Sequence, residues 1–540
     1  MKHGRVCLGG LCLLGLALAW HNRFIQDDAF ISFTYAKHLV AGHGLTWFGT
    51  RIEGYSNFLW VLWIALGLEI GVEPVFWSRL GSLGSFLVAI YAVWRLSALL
   101  FDALVPRVTA VGLFVTNYTV SAYATGGLET MLQTALLCVA VWQFYEVRAS
   151  GTIDQLRILA ASLALSAAVL TRMDSLLPSA IIGLWGLVHL VRRRHTLKGI
   201  LLGVTPFAVI VGSWLVWKLA YYGRLLPNAF YVKVDWAPSA FSTGCLYLGR
   251  FLHWYLIWPF LVIGVLSLIV PRGRRRWDLL PLEIIILAWC VYIVFIGGDF
   301  MEFRFVVPIA PFVFVMLAYL VFYGYAGRWF RRPLAATVLS CAVLLAASYR
   351  HAKTFRGMTA DSTLDSIHLL STFYNVYRDG DWSRIGTTLG KQLGGTDVVI
   401  ASHAVGAIPY YSGVTTVDMF GLNDPYIPIH GRRDGPDYRR PGHRVYTTLS
   451  YLRQRRVNLV IGHPLLFPRG MVSDPASAEL CREIIFTSLT LEPDPGAEAT
   501  IVAMPIDREQ ALAMWYLTRH PHIDRLVESG QWESARVIVP

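Results

Sequence analysis

The sequence predicts a mainly α-helical, polytopic membrane protein with about eleven transmembrane helices, interfacial helices in its first outer loop and a C-terminal α/β domain outside the membrane. Three observations carry that fold class. Apolar residues fill 55% of the 540 positions and charged residues only 15%, with 19 tryptophans and a mean hydropathy of +0.50. So much hydrocarbon with so little charge excludes an ordinary soluble globule. Apolar runs of near-spanning length also recur through the first 350 residues. Finally, the basic residues sit in short clusters between those runs, as in cytoplasmic loops, so the net charge of +12 argues for topology and against a nucleic-acid partner.

Lys2 and Arg5 precede the run Val6 to Trp20, which is short and holds an Ala17-Leu18-Ala19 that resembles a signal-peptidase site. The acidic pair that follows needs an anchor, so this run is read as an uncleaved first helix. The next run, Phe58 to Ile70, has about 13 residues, short of the roughly 17–25 that span a bilayer. If it crossed, every later basic cluster would face outward, against the positive-inside tendency. It is read as an interfacial helix. With the amphipathic segment Phe30–Val40 it makes 21–75 one outer loop whose helices lie along the membrane.

Ten further runs, at about 77–100, 104–123, 130–147, 156–171, 175–191, 199–220, 251–270, 279–297, 305–323 and 333–349, complete the crossings. The clusters Arg95 to Arg107, Arg148 to Arg157, Arg192-Arg193-Arg194 to Lys198, Arg272 to Arg276, and Arg328 to Arg332 then share the inner side. The amino terminus is inside and the carboxyl end outside. Cys7, Cys12, Cys138, Cys290 and Cys341 fall in apolar runs and only Cys245 and Cys481 in polar ones, so no disulfide framework or CxxC metal site is readable.

This topology puts the polar motifs of the membrane region on the outer side. They are Asp27-Asp28, "RIEGYSNF" with Arg51 and Glu53, "TGGLET" with Glu129, "TRMDS" with Arg172 and Asp174, "YYGRLLPNAFYVK" with Arg224, Asn228 and Lys233, and "GGDFMEFRF" with Asp299, Glu302 and Arg304. Each has a bland explanation alone: Asp27 and Asp28 could be solvated caps of the helix starting near Ala29, Glu129 a cap, Arg172 a snorkelling side chain. Together they predict a shared outer-face cavity. Carboxylates there can take a proton from a hydroxyl or hold a metal, and cations can hold a phosphate whose lipid tail stays in the bilayer. A sugar on a polyprenyl phosphate fits both halves.

The ordered series "DDAFISFTYAKHLVAGHGL", "EGYSNFLW", "GGLET", "LTRMDS", "YYGRLLPNAFYVK", "GGDFMEFRF" and "VGAIPYYSGVTTVDMFGLND" resembles the GT-C glycosyltransferases, within that class the arabinofuranosyltransferases of the AftB and TfpW type. The resemblance covers most of residues 20–430. It implies a GT-C fold in 1–349 and an inverting transfer of a sugar, arabinofuranose foremost, from a polyprenyl phosphate to a hydroxyl of a cell-envelope glycan or protein outside the cytoplasmic membrane. By the same resemblance Asp27 is the general base, with Asp28 its helper or a metal ligand, and the resemblance leaves open which of the two is the base. Glu53, Glu129 and Asp174 orient sugar hydroxyls or the acceptor. Arg172, Arg224, Lys233 and Arg304 hold the donor phosphate, and Asn228 and Asp299 join the substrate-binding set. "TRMDS" departs from the "TRPDG" form of the family, which bears on Asp174. The acidic pair Asp27 and Asp28 is compatible with a divalent cation, though no His/Cys cluster demands one.

Beyond the last apolar run, "DVVIAS", "VTTVDMFG" and "RVNLVIGHP" read as short strands of an α/β domain over 350–540. Its Tyr410 and Tyr411 could bind an acceptor glycan or simply pack, and His403, His430, His443 and His463 are dispersed. Two alternatives stay open: a mannosyl- or aminoarabinosyl-type transferase, and a non-catalytic lipid-linked-sugar transporter or scaffold. No internal repeat of the transporter kind is readable.

Overall fold

The structure, a computed structural model, describes residues 2–150, 154–192, 197–234, 238–258, 276–323, 333–356, 363–372, 382–433, 440–492 and 494–540. The chain forms two compact units, Met1–Ile25 with Ser56–Leu225 and Asp235–Ile367, and Gln26–Tyr55 with Leu226–Val234 and His368–Pro540.

The first unit is helical. Among the described residues, Lys2–His21, Pro74–Leu100, Met173–Val191, Leu197–Tyr222, Asp278–Ile296 and Arg304–Tyr323 are long and apolar enough to cross a membrane, which makes this a multi-pass membrane protein. Their exposed side chains include Leu184, Val209, Val216, Leu287 and Phe295, an exterior suited to hydrocarbon. The expected span 156–171 coincides with the shorter apolar helix Gln155–Thr171, and the shorter apolar helix Leu104–Thr116 covers the first part of the expected 104–123. The expected span 251–270 and the clusters around Arg193, Arg272 and Arg328 lie wholly or partly outside the described residues.

The run expected at 104–123 is two helices rather than one. It breaks at Asn117, whose side chain caps the next helix by accepting from Val120 N at 3.1 Å. Ser348 Oγ accepts from Tyr118 N at 2.8 Å and donates to Thr116 O at 3.1 Å, so the backbone groups freed by the break are satisfied inside the bundle.

Phe58–Glu69 is a 12-residue helix, about 18 Å long and well short of the roughly 30 Å hydrocarbon core. It doubles back through Gly71 (φ 76°) onto Pro74–Leu100, which Glu73 caps through Val75 N and Phe76 N. Trp63 and Trp77 stack at 4.6 Å, each filling a gap left by a glycine of the other helix: a Cβ at Gly67 would meet Trp77 at 2.4 Å, and one at Gly81 would meet Trp63 at 2.5 Å.

The second unit is built on a seven-stranded sheet. β1 (Val399–Ser402), β2 (Thr415–Asp418) and β3 (Leu459–Gly462) are the three strands legible in the sequence; β4 (Leu466–Pro468), β5 (Glu498–Pro505), β6 (Gln510–Tyr516) and β7 (Glu533–Ile538) are not. The order is β2-β1-β3-β6-β5-β7, with β4 also pairing β6; β1 runs parallel to β2 and β3, and the remaining pairs are antiparallel. Val417, Val460, Leu452, Ile501 and Trp515 share one core with Val232 from the 226–234 segment. The helix Trp382–Leu393 lies against Ala407–Ser412 through Gly386 and Gly390, where a Cβ would meet Ile408 O at 2.8 Å and Ser412 O at 3.0 Å.

The helix Asp27–Val40 also belongs to this unit, and it corrects the amphipathic reading of Phe30–Val40. Every residue from Ala29 to Ala36 is buried, with Phe30 and Phe33 against the rings of Tyr410 and Tyr411, so its first turns are embedded in protein and do not lie on a lipid surface.

Candidate functional site

In the second unit the acidic pair opens a helix, but its first carboxylate does not serve as a solvated cap. Asp27 is buried, and its Oδ2 and Oδ1 accept from the backbone N–H of Gly406 at 3.1 Å and of Ala407 at 2.9 Å. These amides follow β1, at the carboxyl edge of the parallel strands, where open α/β sheets commonly offer ligand sites. A glycine is required at 406, because a Cβ would lie 2.2 Å from Asp27 Oδ1 and 2.1 Å from its carbonyl oxygen. Burial lifts the Asp27 carboxyl to about 7; the two amides pull it down and neighbouring Asp28 pushes it up. Asp28 is half-buried.

Around this pair the other motifs of the second unit assemble. Tyr35 OH donates to Ile52 O at 2.8 Å and accepts from Gly54 N at 3.1 Å, tying the helix to the buried Glu53 segment. Glu53 O accepts from Asn228 N at 2.9 Å. The Asn228 amide nitrogen donates to the carbonyls of Gly421, Leu422 and Asp424 at 2.8–3.0 Å, which clamps the "FGLND" turn. Asp418, lifted to about 6 by burial, accepts from Asn423 and Phe420 in that turn. Lys233 is half-buried, and its carbonyl accepts from Arg444 at 3.3 Å. Lys37 lies over the Tyr410 ring and donates to its carbonyl at 3.1 Å.

The first unit gathers a different set. Arg172 pairs with Glu129 at 2.8 Å and with Asp174 at 2.6 Å; its side chain is 12% exposed and theirs 2% and 5%. Asn57 donates to the other Glu129 oxygen at 2.7 Å, while Gln133 at 2.7 Å and Tyr292 at 3.4 Å donate to Asp174. Burial pushes the Glu129 carboxyl up, but Arg172, Arg304 and Asn57 outweigh it and hold the group below its usual range. Arg172 and Arg304 both lie over the ring of Phe305, at 5.3 and 5.0 Å from its centroid, and Arg304 Nε is 2.7 Å from Asp299 Oδ2. Arg224 is half-buried in the loop after Leu197–Tyr222. An apolar cavity of about 340 Å³ runs between helices of this unit, lined by Leu165, Leu176, Gly183, Leu190, Gly203 and Phe207 among others.

Of the residues singled out by sequence, Asp27, Asp28, Glu53, Asn228 and Lys233 fall in the second unit, and Glu129, Arg172, Asp174, Arg224, Asp299 and Arg304 in the first. Asn57, Gln133, Tyr292, Phe305 and Gly406 were not singled out. Asn57, Phe305 and Gly406 sit inside quoted motifs; Gln133 and Tyr292 lie within apolar helices that give no local signal.

The architecture has known counterparts. ArnT from Cupriavidus metallidurans bound to undecaprenyl phosphate superposes with a TM-score of 0.55 over 95% of this chain and 99% of that one, at 15% identity. Its apo state gives 0.55 over 96% and 99%, at 14% identity. The likeness is one of fold: this chain shares the fold of ArnT. The archaeal oligosaccharyltransferase AglB from Archaeoglobus fulgidus, in complex with an inhibitory peptide and a dolichol-phosphate, is 11% identical with a TM-score of 0.49, over 94% of this chain and 74% of that one. A family described as a domain of unknown function (DUF8728) matches residues 372–505. No curated protein sequence matches the chain.

Proposed function

We propose that this protein is an inverting GT-C glycosyltransferase that moves a sugar from a polyprenyl phosphate to a hydroxyl of a cell-envelope glycan or protein, on the outer face of the cytoplasmic membrane. The sugar by sequence resemblance is arabinofuranose. The observation that carries the reading is Asp27: a buried carboxylate, fixed by two backbone amides, with its titration near neutrality, as a general base working at neutral pH requires.

In the reaction Asp27 takes the acceptor proton as the hydroxyl oxygen bonds to the anomeric carbon. The bond from that carbon to the phosphate oxygen breaks, and its electron pair leaves with the polyprenyl phosphate. Arg304 and Arg172 offset the charge on that phosphate, Arg with its planar fork being suited to it. Glu129 and Asp174 hold Arg172 and orient sugar hydroxyls. Glu53, Asn228, Lys233, Arg224 and Asp299 complete the binding set. The apolar cavity lined by Leu165, Leu176 and Phe207 in the same unit supports a lipid-linked donor, since it offers hydrocarbon walls to a lipid chain, and the ArnT counterpart was solved with undecaprenyl phosphate. Among the described residues no group of three or more metal-ligating side chains forms. A divalent cation, where bound, would be held by Asp28 and would offset charge on the donor phosphate, and no step here depends on one.

The test is turnover of a synthetic polyprenyl-phosphate arabinofuranose by purified protein and its Asp27→Asn variant. Transfer by wild type that is lost in the folded variant supports the reading; sugar transfer unaffected by Asp27→Asn and Asp28→Asn alike sinks it.

A further inference from the structure

Glu302 lies between Asp299 and Arg304 in sequence, yet it faces a different partner. Its Oε1 is 2.6 Å from Nε2 of His351, on the helix Pro333–Arg356, and its Oε2 accepts from Ile367 N at 2.8 Å. Both side chains are fully buried. The backbone beside it is pinned as well: Asp365 N donates to Phe300 O at 2.7 Å and Glu302 N to Asp365 O at 3.1 Å.

The residue held by these contacts is Phe303, with φ 45° and ψ 22°. A bulky side chain adopts the left-handed region only when its surroundings force it. Here the rings of Tyr247, Phe251, Tyr255 and His351 enclose that of Phe303 at 5.4–6.3 Å. The left-handed turn sets the direction of the next residue, Arg304, whose guanidinium it sends over Phe305 and beside Asp299. For stability alone, an apolar pair of the same volume would serve this interior as well as a buried acid and imidazole, which must be desolvated. What the polar pair adds is direction.

We infer that Glu302 and His351 are a positioning pair: they lock Phe303 in the left-handed turn that aims Arg304, and act on the donor phosphate through Arg304 alone. This rests on the reading of Arg304 as a phosphate contact. The test titrates undecaprenyl phosphate into full-length, detergent-purified protein by microscale thermophoresis, with melting temperature recorded for each variant. His351→Leu should weaken binding about tenfold, the size of one charge-assisted hydrogen bond, and His351→Gln, which keeps a donor near the Nε2 position, should recover to within about twofold of wild type. The double variant His351→Leu with Arg304→Ala should bind no more weakly than Arg304→Ala alone, because an effect transmitted through Arg304 vanishes with it. A purely structural role for His351 would instead add its loss to that of Arg304→Ala. Wild-type affinity in a folded His351→Leu protein, or simple addition in the double variant, overturns the positioning role. Wild-type affinity in Arg304→Ala overturns the phosphate role of Arg304 itself, and the inference with it. If His351→Leu does not fold, Glu302→Gln carries the same expectations.

Discussion

Replacing Gly406 by alanine tests the setting of Asp27 with a single methyl group. The new Cβ would stand 2.1 Å from the Asp27 carbonyl oxygen, 2.2 Å from Oδ1 and 2.4 Å from Cγ, where real Cβ contacts stay above 3.0 Å. One of the clashing atoms is main chain, so no rotamer of Asp27 relieves it, and the two segments must part by close to 1 Å. That parting withdraws the Gly406 and Ala407 amides, the two contacts that pull the Asp27 carboxyl down from the value burial alone would give. Two effects follow. A displacement of about 1 Å at a reacting group costs about a hundredfold in rate, and the overpacking costs about 1–3 kcal/mol of stability. The midpoint of the rate's dependence on pH should also rise from its value near 7, because the carboxylate has lost donors that favoured its charged form. Turnover of the polyprenyl-phosphate sugar across pH 5.5–9 reads both, with Gly249→Ala, whose Cβ meets nothing within 4 Å, as the control. Gly406→Ala protein with turnover within about twofold of wild type and an unmoved midpoint would refute the coupling of Asp27 to the 406–407 amides.

Asp27→Asn should lose about two to four orders of magnitude in turnover, and a larger loss in Asp28→Asn would move the base role to Asp28. In wild type the base must be ionised, so turnover should fall as pH drops through about 7 and hold above it, while residual activity of Asp27→Asn should be flat across that step. Arg172→Leu leaves Glu129 and Asp174 buried without their cation and should cost about 3–5 kcal/mol, read as an earlier thermal transition in detergent; an unchanged transition would show that Arg172 is not their compensating charge. Single cysteines at exposed positions 51 and 509 should label from the outer side and one at 198 from the inner side, in protein whose exposed Cys245 is replaced by serine; 51 and 198 labelling together would refute the topology.

Composition and apolar run length were enough to read a multi-pass membrane protein, because spanning a bilayer imposes a length and polarity that survive in any single segment. Finer boundaries were not. The run 104–123 looks continuous because Asn117 is one polar residue among apolar ones, and the partner that lets the helix break there, Ser348, is 230 residues away. In the C-terminal region the parallel strands β1 to β3 are rich in valine and isoleucine and were legible; β5 and β6 carry Ala and Met with a glycine-free turn held by Asp507, whose Oδ1 accepts from Glu509 N and Gln510 N at 2.8 Å. Side-chain clusters divide the same way. Glu129, Arg172 and Asp174 announce themselves as charges in apolar surroundings, whereas Gln133 and Tyr292 complete their shell from mid-helix positions where a polar residue carries no pattern.

Asp27 shows why charge alone could not separate the bland reading of the acidic pair from the functional one. An aspartate at the start of a helix, following a membrane anchor, is as good a solvated cap as it is a base, and both readings predict the same residue at the same place. What distinguishes them is where the carboxylate's acceptor capacity goes. It accepts from the amides of Gly406 and Ala407, some 380 positions along the chain, and it is withdrawn from water. Burial of that kind destabilises the charged form, so a residue needed only for stability would be better replaced by asparagine or serine at this position. A carboxylate kept there, near neutral titration and with its orientation fixed from outside its own helix, suits the proton-acceptor role proposed for it better than that of a cap.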